Sequence, residues 1–144
     1  MSAAEDAREA IKARADIIEE AYEFFLAYAS QGLPSDLNTS HPVRDQLRRF
    51  DQALDGLPEL LLECAIRLKV SDLQPYRAFM AVLDRDGRDT RAALQLVLAQ
   101  PSIGSQTIDN LNASIHVRAM LTDLFLVDEI LTGPADSAEP VPEG

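Results

Sequence analysis

Apolar residues return along this chain at alternating steps of three and four. Ile11, Ala15, Ile18, Tyr22, Phe25 and Ala29 do so first, and that spacing keeps a stripe on one side of an α-helix. Ile17, Ala21, Phe24 and Tyr28 make a second stripe beside it. The helix predicted over about residues 4–31 is therefore apolar on more than half of its circumference from Ile17 onward. Such a helix is central in a bundle or lies in an oligomer interface. Gly32 and Pro34 stop it, and the turn formers of "LPSDLNTS" follow.

The clearest repeat comes next. Val43, Leu47, Phe50, Leu54, Leu57, Leu61, Cys64 and Leu68 keep the four-three spacing without a slip. Pro42 suits the first helical turn, where its missing N–H costs nothing. Yet Gly56 and Pro58 lie inside the register, and a proline in a helix interior costs about 3 kcal/mol. A kink near Asp55 is one solution. The favoured one is a break there, with a new helix starting at once and Pro58 in its first turn. In both cases the two halves face one core.

Asp72 is the predicted N-cap of a helix carrying Leu73, Tyr76, Met80 and Leu83. The stretch "DRDGRD", Asp84 to Asp89, then reads as a loop. Gly87 ends one helix, and Asp89 or Thr90 caps "TRAALQLVLAQ", which Pro101 terminates. A last helix is predicted from about Thr107 to Leu131, closed by Gly133-Pro134. No segment alternates with period two for long enough to make a strand. The expected fold is all-α, a five- or six-helix antiparallel bundle over residues 1–133. A disordered acidic C-terminal tail is expected over residues 134–144.

Composition narrows the roles such a bundle can have. The 144 residues carry a net charge of −11, which repels nucleic acid unless Lys and Arg cluster locally. The densest basic group, Arg44, Arg48 and Arg49, is flanked by Asp45 and Asp51. An anionic membrane surface is disfavoured for the same reason, and no apolar run approaches the roughly 20 residues of a membrane span. The opening "MSAAEDAREA" has no apolar core of a signal peptide, so the expected location is cytoplasmic. After Arg118 no Lys or Arg follows, whereas Asp123, Asp128 and Glu129 do.

Four constellations bear on chemistry. Counted from Asp84, the aspartates fall at positions 1, 3 and 6, glycine at 4 and Gln95 at 12. A calcium loop needs glycine at 6 and a bidentate Glu at 12, so the turn is preferred. Asp16, Glu19, Glu20 and Glu23 share one side of the first helix, but neither His41 nor His116 has the Glu three residues before it that a di-iron bundle requires. Cys64 sits on the apolar seam and reads as a small buried hydrophobe. Asn112 and His116, four apart on the predicted last helix, would share a face with Asp109 and could line a polar pocket. The alternative there is an exposed polar stripe. No phosphate loop, activated nucleophile or zinc spacing occurs. No catalytic residue, cofactor or metal is expected.

What remains is surface. The segments 21–29 and 120–131 carry more apolar area than single seams require, which suggests burial against another chain. Phe24, Tyr28, Leu121, Leu124 and Phe125 are the candidate partner or dimer interface. The leading expectation is a regulator, adaptor or assembly factor acting by protein–protein interaction. It would be a homodimer, with a partner that presents a basic patch. The alternative is a sensor or carrier holding a small molecule between helices, with Asn112 and His116 among its polar contacts. A third is mimicry of nucleic acid by the acidic faces.

Overall fold

The computed structural model describes residues 2–34 and 41–131. The expected acidic tail at 134–144 lies outside the described residues. Six helices follow one another: α1 Ala3–Ser30, α2 His41–Leu54, α3 Leu57–Arg67, α4 Gln74–Leu98, α5 Ser105–Ala113 and α6 Ile115–Leu131. No strand occurs among the described residues. The all-α bundle is the observed fold.

The ends of these helices have local causes. Ser2 caps α1, its Oγ accepting from the Glu5 N–H at 3.1 Å. The N-cap of α4 is Leu73 and not the expected Asp72, which lies one residue earlier and accepts from the Gln74 N–H at 3.0 Å. The stop after Leu54 is a break and not a kink. Gly56 adopts φ +71°, Pro58 falls in the first turn of α3, and the seam Val43, Leu47, Phe50, Leu54, Leu57, Leu61 and Cys64 stays buried across it. The end of α3 is a Schellman turn. Val70 N–H donates to the Ala65 carbonyl, Lys69 N–H donates to the Ile66 carbonyl, and Lys69 sits at φ +56°.

Tie points give the directions. Glu20 faces Arg49 and Arg14 reaches the Ala53 carbonyl, so α1 and α2 are antiparallel. Arg44 reaches the Leu98 carbonyl and Arg91 pairs with Asp51 at 2.9 Å, so α2 and α4 are antiparallel. Thr90 Oγ1 donates to the His116 carbonyl at 2.9 Å, while Gly87 lies beside Met120. By the same reading α4 and α6 are antiparallel. In the core Phe25 and Phe50 stack with centroids 6.2 Å apart. The buried face of α1 is Ala7, Ile11, Ala15, Ile18, Ala21, Phe25 and Tyr28. It follows the first predicted stripe to Ile18 and from there draws on both, with Ala21 and Tyr28 from the second and Phe25 from the first.

Two of the three left-handed residues, Lys69 and Gly56, generate opposite expectations. Lys69→Gly relieves about 1 kcal/mol of Cβ strain but removes a cation from a helix C-terminus, leaving a net gain of about 0.5 kcal/mol. Gly56→Ala loses about 1 kcal/mol, with open space around the new methyl. Urea unfolding of the two variants checks both signs.

Candidate functional site

The stretch Asp84–Asp89 is neither a calcium loop nor a turn. It lies inside the 25-residue helix α4. Asp84 is paired with Arg88 at 3.0 Å, one turn along the helix. The buried face of α4 runs Leu83, Gly87, Thr90, Leu94 and Val97, again in four-three steps. Two of these five are not apolar, so the seam escapes a search for apolar residues. Thr90 is dry because its hydroxyl donates to a carbonyl: the Asp86 carbonyl at 2.7 Å and the His116 carbonyl at 2.9 Å are both in reach.

Beside that seam two carboxyls meet. Asp86 of α4 is the charged neighbour of Asp123 of α6, and Asp123 Oδ2 is buried with no hydrogen-bond partner. Burial first, then the Asp86 carboxyl as hydrogen-bond partner and as like charge, pushes Asp123 up to about 7. The acidic side of α1 behaves similarly but more weakly. Glu19 is raised by burial, then by Asp16, Asp128 and Glu23.

The expected helix over Thr107–Leu131 is two helices. Ser114, at φ −64° and ψ 137°, ends α5. Its Oγ accepts from the Val117 N–H at 3.4 Å and so caps α6. The signal was available as a serine immediately before an apolar helical run. Asn112 and His116 consequently do not share a helix face. Asn112 is buried and neither amide atom meets a protein partner, whereas His116 is exposed.

The five candidate interface residues also separate. Tyr28, Leu121 and Leu124 are buried within the chain itself. The Tyr28 hydroxyl donates to the Ile103 carbonyl, and its own carbonyl accepts from Ser105 Oγ at 2.6 Å. That surface is used in joining α1 to the start of α5. Phe24 is half-buried and stacks on Tyr28 at 6.2 Å. Phe125 is 47% exposed. Of the five it has the most surface open to a partner.

The apolar excess of α6 opens instead onto a groove that the sequence did not suggest. Leu61 of α3, Pro75, Tyr76 and Phe79 of α4, and Leu126, Val127, Ile130 and Leu131 of α6 line a depression of about 420 Å³. Leu126 and Ile130 are about half exposed, at 49% and 48%. Every side chain in the lining is apolar apart from the Tyr76 hydroxyl. The volume lies within the range of roughly 300–1,000 Å³ usual for small-molecule sites.

Comparison with protein-family models, curated proteins and solved structures returns no match. Chemistry must therefore be read from the residues. Among the described residues no group of three or more His, Cys, Asp or Glu could hold a metal ion. No helix among them is long and apolar enough to cross a membrane. Cys64 is fully buried, and burial pushes its thiol up, against the smaller opposing effect of Arg8. Its surroundings do not favour the thiolate needed for nucleophilic chemistry.

Gly87 yields a direct test of the α4 reading. A Cβ there would stand 4.0 Å from Met120 Sδ, an ordinary contact. Gly87→Ala should therefore raise stability by about 1 kcal/mol, as for an unstrained glycine in a helix interior. A turn at Gly87 would instead make the same substitution destabilising in thermal unfolding.

Proposed function

We propose that this protein acts by protein–protein interaction, as a regulator, adaptor or assembly factor that docks its partner in the α3/α4/α6 groove. The observation that carries this reading is the apolar lining around Phe79, Leu126 and Ile130, left open on the molecule's own surface. A contiguous apolar depression in an otherwise charged chain is what an interaction site looks like. Its surroundings suggest what fits. From Asp123 onward α6 carries Asp123, Asp128 and Glu129 and no cation, α3 adds Glu59 while its Glu63 is paired with Arg67, the start of α4 brings one exposed cation, Arg77, and the whole chain is at −11. The complementary occupant is an amphipathic helix with apolar residues at i, i+3, i+4 and i+7 and Lys or Arg beside them. A second copy of this chain is the runner-up. It matches the apolar lining but brings another −11. The ligand-carrier reading finds its support in the size of the same groove and in the unpartnered amide of Asn112.

Leu126→Asp and Ile130→Asp should each weaken partner binding at least tenfold, about 1.4 kcal/mol, while the fold survives because both residues are half exposed. Affinity should also fall between low and high salt. Titration with a basic amphipathic helical peptide and its charge-reversed counterpart checks both points. Equal affinity for the two peptides would remove the electrostatic part of the proposal.

Light scattering at micromolar concentration separates the occupants. The expected mass is that of a monomer of 15.8 kDa. A dimer that Leu126→Asp dissociates would instead assign the groove to a second copy.

A further inference from the structure

The open surface along the α4–α6 seam changes character from one end to the other. Asp123, Leu126 and Ile130 follow at steps of three and four, so they share one side of α6. Phe79, Val82 and Asp86 do the same on α4. The helices are antiparallel, with Thr90 on the His116 carbonyl and Gly87 beside Met120, so the two stripes run side by side in opposite senses. Phe79, Leu126 and Ile130 line the groove, and Val82 is exposed one turn beyond Phe79. At the end toward Gly87 and Met120 both stripes finish on a carboxyl, and Asp86 is the charged neighbour of Asp123. Asp123 stands about 4.5 Å of helix rise from Leu126.

We propose that the groove is the apolar half of a two-part site whose other half is Asp86 and Asp123: a partner helix lays its apolar face in the groove and sets one Lys or Arg, a turn beyond that face, on the two carboxyls. This rests on the groove being the docking site, and it adds where along the occupant the deciding cation stands. Asp86 and Asp123 are both half-buried. They are open enough to be touched and dry enough for a charge pair to be felt. Asp123 Oδ2 is buried without a hydrogen-bond partner, and a buried acceptor left unpaired is costly. No cation of the described residues is in an ion pair with either carboxyl. In α4 Arg88 is engaged with Asp84 at 3.0 Å and Arg85 is exposed, as is Arg118 of α6. Thr90 uses the Asp86 carbonyl and leaves its carboxyl out.

The chemistry of the missing group follows. An ammonium or guanidinium donates and carries the opposite charge, and hydrogen bonds between ionised groups are the strong ones. Delivered by a partner, that cation is tied to the apolar contact, because it stands one helical turn from the residues that fill the groove. Glu129 flanks the same stripe beside Ile130 but is exposed, where solvent and salt screen it. Position along the occupant, and not only net charge, is what this arrangement selects.

The test is a double-mutant cycle between the full chain and a helical peptide with Leu at i, i+3, i+4 and i+7 and a single Lys at i+11. Calorimetry gives the affinities of the chain and of Asp123→Asn for this peptide and for its counterpart with Gln at i+11. Removing either partner should weaken binding about fivefold, the upper end for a partly exposed ion pair. Removing both should weaken it no further than removing one. Asp86→Asn should behave like Asp123→Asn, whereas Glu129→Gln should leave the preference for Lys intact. Carboxyl carbon resonances of the unmutated chain need no substitution: Asp123 should move with the Lys peptide and stay in place with the Gln peptide. Equal affinity for the two peptides, losses that multiply, or an Asp123 resonance that moves equally with both overturns the inference and leaves the groove as an apolar docking site. A preference for Lys that Glu129→Gln removes puts the cation on the exposed rim and overturns it as well. Binding that Leu126→Asp leaves unchanged ends the groove reading and this inference with it.

Discussion

One dry face has to run past a place where the backbone stops being helical. The seam from Val43 to Cys64 is buried throughout, yet the chain ends one helix at Leu54 and begins another at Leu57. Carbonyls at a helix end have no partner in their own helix, and leaving them unpaired near a core is costly. Arg14 of α1 answers this by donating to the carbonyls of Ala53 and Asp55, at 2.9 and 2.6 Å. Arg44 of α2 does the same for α4, reaching the carbonyls of Leu98 and Gln100. Neither α2 nor α4 has a basic residue in its own last turn. The cation is supplied by a neighbouring helix, so the termination of one helix also sets the placement of the next. Arg91, bonded to Asp51 and Asp55 across the α2–α4 contact, holds the same corner from the other side.

The densest basic group of the chain is engaged within the molecule, Arg44 between helices and Arg48 and Arg49 in exposed pairs. Arg44 is committed to α4, Arg49 faces Glu20 and Arg48 faces Asp45. What the surface presents is acidic, interrupted by apolar positions on α6. That combination favours a partner whose own apolar face is bordered by cations. The groove lies where α3, the start of α4 and the end of α6 meet, so an occupant touches two consecutive helices and the last helix of the described chain.

Legibility followed the chemistry of the seams. Where every seam position is Leu, Ile, Val, Phe or Cys, as in α2 and α3, period and break were both readable, because Gly56 and Pro58 mark a stop with known backbone physics. In α4 the seam passes through Gly87 and Thr90. Glycine between aspartates has the local signature of a turn, whereas the helix runs on through it, with the Asp84–Arg88 pair along it and Met120 of α6 beside Gly87. At Ser114 the opposite happened. Continuous apolar periodicity hid a cap that the serine alone could have signalled. The groove was not legible at all, since it depends on the distance between three helices and not on any one periodicity. The interface candidates divided for a related reason: Tyr28, Leu121 and Leu124 are as apolar as Phe125, but their direction is set by the drift of each helix relative to its neighbours.

Cys64 has a use unrelated to partners or protons. It is the one cysteine of the chain, the chain has no tryptophan, and the thiol is shut inside the core beside Leu61 on α3. A thiol reagent can reach it only while α3 is transiently open, so the labelling rate measures the free energy of that opening under native conditions. The molecule thus contains its own gauge of local unfolding, placed on a helix that helps to wall the groove, and that gauge can be read without substituting any residue.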